Sequence, residues 1–276
     1  MSATTALHER YAEGDAPAVI IDHPAIAAML QHRSVRAYGD APLPPGTLET
    51  LVAAAQSAAT SSNLQSWSVI AVEDPARRAR LAALAAGQGF LAEAPLFLVW
   101  VADLSRNRQL GETAGTSLEG IDYLESFMVA AIDAALAAQN ATVAAEALGL
   151  GTCYIGALRN QPEAVAAELG LPPGAMGLFG LCVGHAAGGM AGNPASAIKP
   201  RLPHSVVLHR ERYRAGGADA AAIARYDAAM AGFSRRVGQG EMRWLPRMFA
   251  RLASAAALGG RDRMHAALRA LGFGLK

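Results

Sequence analysis

The densest group of chemically useful side chains is the segment His32-Arg33-Ser34-Val35-Arg36. Two guanidinium groups, an imidazole and a hydroxyl lie within five consecutive positions of a chain that is otherwise rich in alanine and leucine. Arginine can bind a phosphate through two parallel hydrogen bonds. The segment lies between a predicted short helix at 24–30 and a turn rich in glycine and proline at 39–46. Its composition and its position therefore predict an anion-binding site.

Four further polar segments interrupt the apolar chain. They are Thr60 to Gln65, Gly87-Gln88, Tyr154 to Asn160 and Lys199-Pro200-Arg201. Each segment taken alone is compatible with an ordinary loop. Together they supply cations for a phosphate, amide and hydroxyl groups for a polar ring edge, and glycines that let backbone N–H groups approach a ligand closely. This combination matches one anionic, planar ligand that carries amide groups.

The hydrophobic pattern predicts the elements that position these segments. Apolar residues at helical spacing predict helices, and short continuous apolar runs predict strands. The predicted helices span 24–30, 45–57, 75–86, 124–148, 162–169, 219–231 and 244–258, and the predicted strands span 67–72, 96–101, 152–155 and 177–184. Because helices and strands follow one another without strict alternation, the pattern favours an α+β fold over a doubly wound sheet.

Composition argues against several other classes of protein. The longest apolar segment, 127–150, contains Asp133 and Glu146 and several amide and hydroxyl side chains, which predicts a buried or interface helix and no membrane contact. Two cysteines provide neither a disulfide framework nor a metal site, so we expect no metal and a cytoplasmic location. A formal net charge of +1 without a recognisable nucleic-acid-binding module argues against nucleic acid as a partner.

The basic residues are concentrated near the C-terminus. From Arg235 to Lys276 the chain contains nine lysine and arginine residues and only two acidic residues. Three of the arginines, at 243, 247 and 251, are spaced four apart and would share one face of a helix. This basic region is open to three interpretations: a solvated surface, an arm that binds a partner subunit, or a contact for a cofactor phosphate.

The polar segments and their order resemble the FMN-dependent nitroreductase family, and within it the NADPH-dependent, oxygen-insensitive nitroreductase and flavin reductase branch. The matching motifs are HRSVR at 32–36, SSNLQ at 61–65, GQ at 87–88, AAQNATVAAEALGLGTCYIGALRN at 137–160, LFGLCVGH at 178–185 and KPRLP at 199–203. The resemblance implies an α+β fold with a mixed central sheet flanked by helices, and an intertwined homodimer. We accordingly predict a flexible N-terminal arm at 1–20, an FMN-binding domain at 21–215, and a helical basic extension at 216–276 that packs on the partner subunit.

The resemblance also implies which residues bind the cofactor. The residues implied at the FMN phosphate are His32, Arg33, Ser34, Arg36, Lys199 and Arg201. The residues implied to reach FMN from the other subunit are Ser61, Ser62 and Asn63, with Gln65 in the same motif. The residues implied at the flavin ring are Gln88, Tyr154, Ile155, Gly156 and Ala157, with a backbone N–H pointing to N5. Arg235 and Arg236 are candidates for the 2′-phosphate of NADPH.

The implied activity is NADPH-dependent reduction of nitroaromatics, quinones or flavins in a ping-pong, two-electron cycle. A small-molecule electron acceptor would be the second substrate, and no side-chain acid or base need be essential, because the flavin N5 carries the chemistry. Arg36 and Lys199 would give electrostatic support. Two alternatives stay open: a flavin reductase that supplies reduced FMN to a monooxygenase, and a non-catalytic flavin-binding carrier or sensor.

Overall fold

The computed structural model describes residues 3–192, 196–214 and 219–276. Over these ranges the helices and strands follow the mixed order that the sequence predicts, which confirms the α+β class. The elements in chain order are α1 (Ala3–Arg10), α2 (Pro24–Leu30), α3 (Thr47–Gln56), β1 (Trp67–Val72), α4 (Pro75–Leu84), α5 (Phe90–Glu93), β2 (Leu96–Asp103), α6 (Ser105–Thr113), α7 (Leu124–Ala147), β3 (Gly151–Ile155), α8 (Pro162–Leu169), β4 (Ala175–Gly184), α9 (Gly189–Gly192), α10 (His204–Val207), α11 (Ala220–Arg236), α12 (Trp244–Leu252) and α13 (Met264–Ala270).

Local sequence signals set the beginnings of helices α2 and α4. Helix α2 begins at Pro24, and the His23 side chain accepts a hydrogen bond from the backbone of its first turn. Helix α4 begins at Pro75, and the Asp74 carboxylate accepts hydrogen bonds from two backbone N–H groups of its first turn. Proline suits the first helical position because the N–H it lacks would have no partner inside the helix. Both beginnings agree with the predictions.

The four strands form one sheet in the order β1-β2-β4-β3. All pairings among the strands of the described ranges are antiparallel, whereas we predicted a mixed sheet. Strand β2 continues to Asp103 and β4 begins at Ala175, so both are longer than predicted. Strand β3, which leads into the candidate ring contacts at 154–157, lies at an edge of the sheet.

The sheet is covered on both faces, which explains why β2 is a continuous apolar run. Successive side chains of a strand point to opposite faces. Leu96, Leu98 and Trp100 pack with the alanines of α7, while Phe97 and Val99 pack in a second cluster with residues of α4, α5 and α8. All residues of β2 are buried. A strand that is buried on both faces carries a nearly continuous run of apolar side chains, here from Leu96 to Ala102.

Helix α7 is the one helix within the described ranges that is long and apolar enough, by length and composition, to cross a membrane. Its alanines at 137, 138, 141 and 145 are buried against α3 and the sheet. The small side chains allow the helix backbone to approach the sheet closely. This packing agrees with the prediction of a buried or interface helix.

The described residues form two compact units, with boundaries that differ from the predicted ones. The first comprises Met1–Val35 and Ala187–Ala257, and the second comprises Arg36–Ala186 and Leu258–Lys276.

The N-terminal segment, which we predicted to be a flexible arm, contains α1 in the first unit. Arg10 is buried there, and Asp15 pairs with Arg225 at 2.6 Å. These contacts tie the segment to its unit.

The end of the chain, within the segment 216–276 that we predicted to pack on a partner subunit, folds onto the sheet of the second unit. Leu268 and Phe273 are buried in a cluster with residues of α7 and β4. Arg263 donates two hydrogen bonds to the Glu163 carboxylate, at 2.6 and 2.8 Å. Burying a large apolar side chain stabilises a fold by about 1.5 to 3 kcal/mol. The apolar residues of α13 therefore favour their own sheet over solvent.

Asp103, at the end of β2, is a buried carboxylate surrounded by hydrogen-bond donors. The hydroxyls of Ser68 and Ser105 each donate to it at 2.5 Å, and the Ser105 backbone N–H donates at 3.0 Å. Burial alone would raise the pKa of Asp103, but the hydrogen bonds from Ser105 and Ser68 and the charge of Arg106 outweigh it. The pKa of Asp103 therefore lies below its ordinary value, and the ionised form is stabilised in the folded chain.

We expect Asp103→Asn to lower the free energy of unfolding at neutral pH by about 1.5 to 3 kcal/mol, the contribution typical of hydrogen bonds to a charged group. Because the pKa is lower in the folded chain, this contribution is complete above the pKa of the unfolded chain and is lost as the pH falls through the folded value. Urea unfolding at about pH 7 and about pH 3 measures it, with the exposed Glu112→Gln as control. A difference between wild type and Asp103→Asn that does not shrink at the lower pH would contradict the prediction.

Candidate functional site

In the first unit, a single arginine brings two of the predicted motifs together. The Arg10 side chain donates hydrogen bonds to the backbone carbonyls of Leu30 and His32, at 2.8 and 2.7 Å, and to the carbonyl of Lys199, at 2.8 Å. One guanidinium group therefore contacts both the HRSVR segment and the KPRLP segment. The two predicted phosphate motifs, which are far apart in the sequence, lie side by side in this unit.

Hydrogen bonds to backbone carbonyls hold the arginine side chains of these motifs. Arg33 donates from Nη1 to the carbonyl of Met190 at 3.0 Å and from Nε to the carbonyl of Gln31 at 3.3 Å. The exposed Arg201 side chain donates to the carbonyl of Lys199 at 3.1 Å. The Lys199 ammonium lies 5.6 Å from the centre of the Phe233 ring. These contacts hold three cations on neighbouring segments, an arrangement suited to an anion.

The HRSVR segment itself is divided between the two units. His32, Arg33 and Ser34 are partly exposed in the first unit, where Val35 is fully buried. Arg36 is exposed and belongs to the second unit. The motif therefore contains one buried apolar residue, Val35, between its polar residues.

The loop that contains Ser61, Ser62, Asn63 and Gln65 has an unusual backbone. Ser62, Asn63 and Gln65 have φ angles of 49°, 54° and 50°. Residues other than glycine rarely adopt positive φ values, because the Cβ atom meets the backbone there. Such conformations persist only where surrounding groups hold them, and they are common at binding sites. The polar side chains of the loop are exposed.

Two residues that the sequence analysis missed hold this loop in place. Asp133 of α7 accepts a hydrogen bond from the Ser61 backbone N–H at 3.1 Å, and Arg106 donates to the carbonyl of Gln65. Asp133 is fully buried, and its Oδ2 atom has no hydrogen-bond partner within the described part of the chain. A carboxylate in an otherwise alanine-rich helix segment is the sequence signal for such a contact, because a buried charge needs a donor.

The predicted ring segment lies where β3 ends. Gly156 follows the edge strand and begins a 3₁₀ turn, Gly156–Asn160. The side chains of Ile155 and Ala157 are buried in the core cluster, so that only their backbone atoms remain for a ligand. A Cβ atom at Gly156 would lie 3.4 Å from the guanidinium of Arg159, which is ordinary van der Waals contact.

Tyr154 and Gln88 present polar groups in the second unit. The Tyr154 hydroxyl lies 2.9 Å from Oγ1 of Thr142, and its ring packs edge-on against Phe179. Burial raises the pKa of Tyr154 to about 12, against the opposing effect of the Thr142 hydrogen bond. The phenol is therefore neutral at physiological pH. The side-chain amide of Gln88 donates to the carbonyl of Ala85 at 3.1 Å, which fixes its position after α4.

The NADPH candidates lie at the end of α11 in the first unit. Arg235 pairs with Glu241 at 3.3 Å, while the exposed Arg236 has no side-chain partner among the residues that the structure describes. Arg243 lies just before α12 and pairs with Asp227 at 3.1 Å. Arg236 is therefore better placed than Arg235 to meet a new anion.

Comparison with known proteins identifies the family. The model of the nitroreductase family matches residues 29–185, and that of the nitroreductase family C-terminal domain matches residues 199–276. The FMN reductase (NADPH) of Bacillus subtilis is 44% identical over 189 residues, which cover 68% of this chain and 74% of that protein. The oxygen-insensitive NADPH nitroreductase of Salmonella typhimurium is 39% identical over 208 residues, which cover 75% of this chain and 81% of that protein. The chain belongs to the nitroreductase family.

Solved structures show the same fold. The NfrA1 nitroreductase from Bacillus subtilis matches with a TM-score of 0.82 and 37% identity, and the match covers 91% of this chain and 99% of that chain. The NADPH:FMN oxidoreductase from Vibrio harveyi complexed with NAD+ matches with a TM-score of 0.80 and 31% identity, covering 92% of this chain and all of that chain. The predicted family and the nitroreductase-like fold are confirmed.

Proposed function

We propose that this chain is an NADPH-dependent FMN oxidoreductase that reduces nitroaromatics, quinones or flavins. The observation that carries the proposal is the pair of hydrogen-bonded segments around Arg10, which places the backbone of His32 next to that of Lys199. When bound, FMN accepts hydride from NADPH and delivers two electrons to the acceptor. The relatives named above act as FMN reductases and NADPH nitroreductases, which supports the same activity here.

The residues of the first unit fit the FMN phosphate. Arg33 and Arg201 provide guanidinium groups that can each make two hydrogen bonds to phosphate oxygens, and Lys199 adds a compact positive charge. His32 and Ser34 provide further donors beside them. Because the cations lie on segments joined by hydrogen bonds, little ordering is required when the anion binds.

The residues of the second unit fit the flavin ring. The exposed loop residues Ser61, Ser62, Asn63 and Gln65, together with Gln88 and Tyr154, offer hydrogen bonds to the polar ring edge. The backbone of Ile155, Gly156 and Ala157 would hold the ring and could donate an N–H to it. Arg36, which belongs to the same unit, would favour the negative charge of the reduced ring electrostatically. No side-chain acid or base takes part in this mechanism.

NADPH binds through Arg236 in this proposal, with Arg235 as the neighbouring cation. Both arginines lie in the last turn of α11. A 2′-phosphate is the group that distinguishes NADPH from NADH, and it requires a cation that can approach from solvent.

The protein acts as a homodimer, and Ser61, Ser62 and Asn63 of each subunit complete the site of the other. Helix α7 carries Leu124, Met128, Ile132 and Leu136 at four-residue spacing, and these side chains are 47, 47, 54 and 44% exposed. Residues four apart form a stripe along one helix face. A stripe of exposed apolar side chains marks an interaction surface. A second copy of this chain covers it.

Both cysteines, Cys153 and Cys182, are buried thiols, which supports a reducing, cytoplasmic setting.

An anaerobic visible spectrum of the purified protein tests the proposal. We expect flavin absorbance that bleaches when NADPH is added and returns when a nitrofuran or a quinone follows. Flavin bands that do not respond to NADPH would instead support a carrier or sensor. Reduced FMN that leaves the protein for a separate acceptor enzyme would support the flavin reductase alternative. A protein that cannot be reconstituted with FMN would refute the proposal.

A further inference from the structure

We propose that Arg10 is a positioning residue for the FMN phosphate. It acts through the two basic segments that it joins and does not itself contact the ligand. The inference rests on the proposed function, because it concerns the phosphate of bound FMN. It assigns a role to the N-terminal segment, for which the sequence motifs supply none.

The hydrogen bonds of Arg10 define the distance between the two segments. Its side chain donates to the carbonyls of Leu30, His32 and Lys199, and its own carbonyl accepts from the Arg201 backbone N–H at 2.8 Å. The guanidinium group is planar, and its donors point in fixed directions. The backbone at 30–32 and the backbone at 199–201 are therefore held in one geometry, and the cations they carry are held with them.

Because Arg10 is buried, its side chain must find its hydrogen-bond partners within the protein. Its residue surface is only 5% exposed. A charged group inside a protein is tolerated only when its donors are satisfied. Removing the Arg10 side chain would also take one donor from each of the three carbonyls, of which that of Lys199 keeps Arg201 as a second donor. Lysine at this position would keep the charge, but a single ammonium cannot match a planar fork directed at carbonyls of two segments.

Neighbouring contacts hold α1 and the residues after it in the position that Arg10 requires. The Tyr11 hydroxyl lies 3.1 Å from Nε2 of His204, one residue after the KPRLP motif, and the two rings meet edge to face. Asp15 forms its ion pair with Arg225 of α11. The N-terminal segment thus contacts the basic segments and a supporting helix at successive positions.

The experiment compares binding of FMN with binding of riboflavin, which has the same ring but no phosphate. Flavin is removed from the wild type, Arg10→Met, Arg10→Lys and the control Arg212→Met, which replaces an exposed arginine of the same unit. Dissociation constants for both ligands are measured by quenching of flavin fluorescence. We expect Arg10→Met to weaken FMN binding by roughly 10- to 100-fold, the range known for contacts that orient metal ligands. Riboflavin binding should be unchanged, Arg10→Lys should be intermediate, and Arg212→Met should behave as wild type.

Each outcome bears on a different claim. Loss of FMN and riboflavin affinity by the same factor would overturn the inference, because it would indicate a general structural role. Unchanged FMN binding in Arg10→Met would overturn it as well. If circular dichroism shows that Arg10→Met does not fold, the ratio of the two dissociation constants in Arg10→Lys decides the question. A wild-type protein that binds neither flavin would refute the proposed function instead.

Discussion

Lys199→Ala is expected to weaken FMN binding by about 10- to 100-fold, because it removes a charge-assisted contact with the phosphate that contributes about 1.5 to 3 kcal/mol. The change should act on the ligand and not on the fold. The Lys199 backbone carbonyl, which accepts from Arg10 and Arg201, is present in alanine too. The hydrogen bonds that join the two basic segments therefore remain in the variant.

Fluorescence titration with FMN at low and high salt measures the effect. Salt screens exposed charge pairs, so FMN affinity of the wild type should fall with ionic strength, and the fall should be smaller in Lys199→Ala. The matched control is Lys276→Ala, since these are the two lysines of the chain and Lys276 pairs with Asp122 within the second unit. An FMN affinity equal to that of the wild type would remove Lys199 from the phosphate site.

Ile132→Glu is expected to dissociate the proposed homodimer. Ile132 lies in the apolar stripe of α7 with more than half of its surface exposed in the single chain. If the dimer interface covers this stripe, the carboxylate at position 132 would be buried without a partner. This would destabilise the dimer by about 3 to 5 kcal/mol for each copy. If the partner loop completes the FMN site, flavin should be lost together with the dimer.

Light scattering after size exclusion gives the mass of each variant, and absorbance gives its flavin content. Ala83→Glu is the control, because it places the same charge on an exposed position of another helix, α4. Helix α7 should retain its structure, since position 132 points away from the core. A dimer of unchanged stability in Ile132→Glu would place the interface elsewhere. A wild-type monomer that binds FMN would contradict the shared site.

Much of the local structure follows from short-range signals. Pro24 and Pro75 begin their helices as predicted, and Gly149, with a φ of 77°, follows the end of α7. These features depend on the conformational preferences of one or two residues, so a local pattern is sufficient to predict them. The apolar runs of β2 and β4 likewise required only the period of a strand and the absence of polar residues.

The sequence predicts less of the candidate site than of the local structure. Motif order identified the family, and it predicts Arg33, Lys199 and Gly156 as cofactor contacts because charge and backbone freedom at these positions follow from residue type. It did not identify Arg10 or Asp133 as supports. Arg10 and Asp133 each contact a segment that is distant in the sequence. Sequence spacing does not predict such a contact, because only folding brings the two residues together.

The sequence by itself determined the class, the family, the positions of most helices and strands, and the residue types available for an anion and a planar ring. The tertiary structure alone decided which segments meet: Arg10 with His32 and Lys199, Asp133 with the loop at Ser61, and α13 with its own sheet. The physical reason is that secondary structure depends on neighbours along the chain, whereas a binding site depends on hydrogen bonds and burial between residues far apart in it.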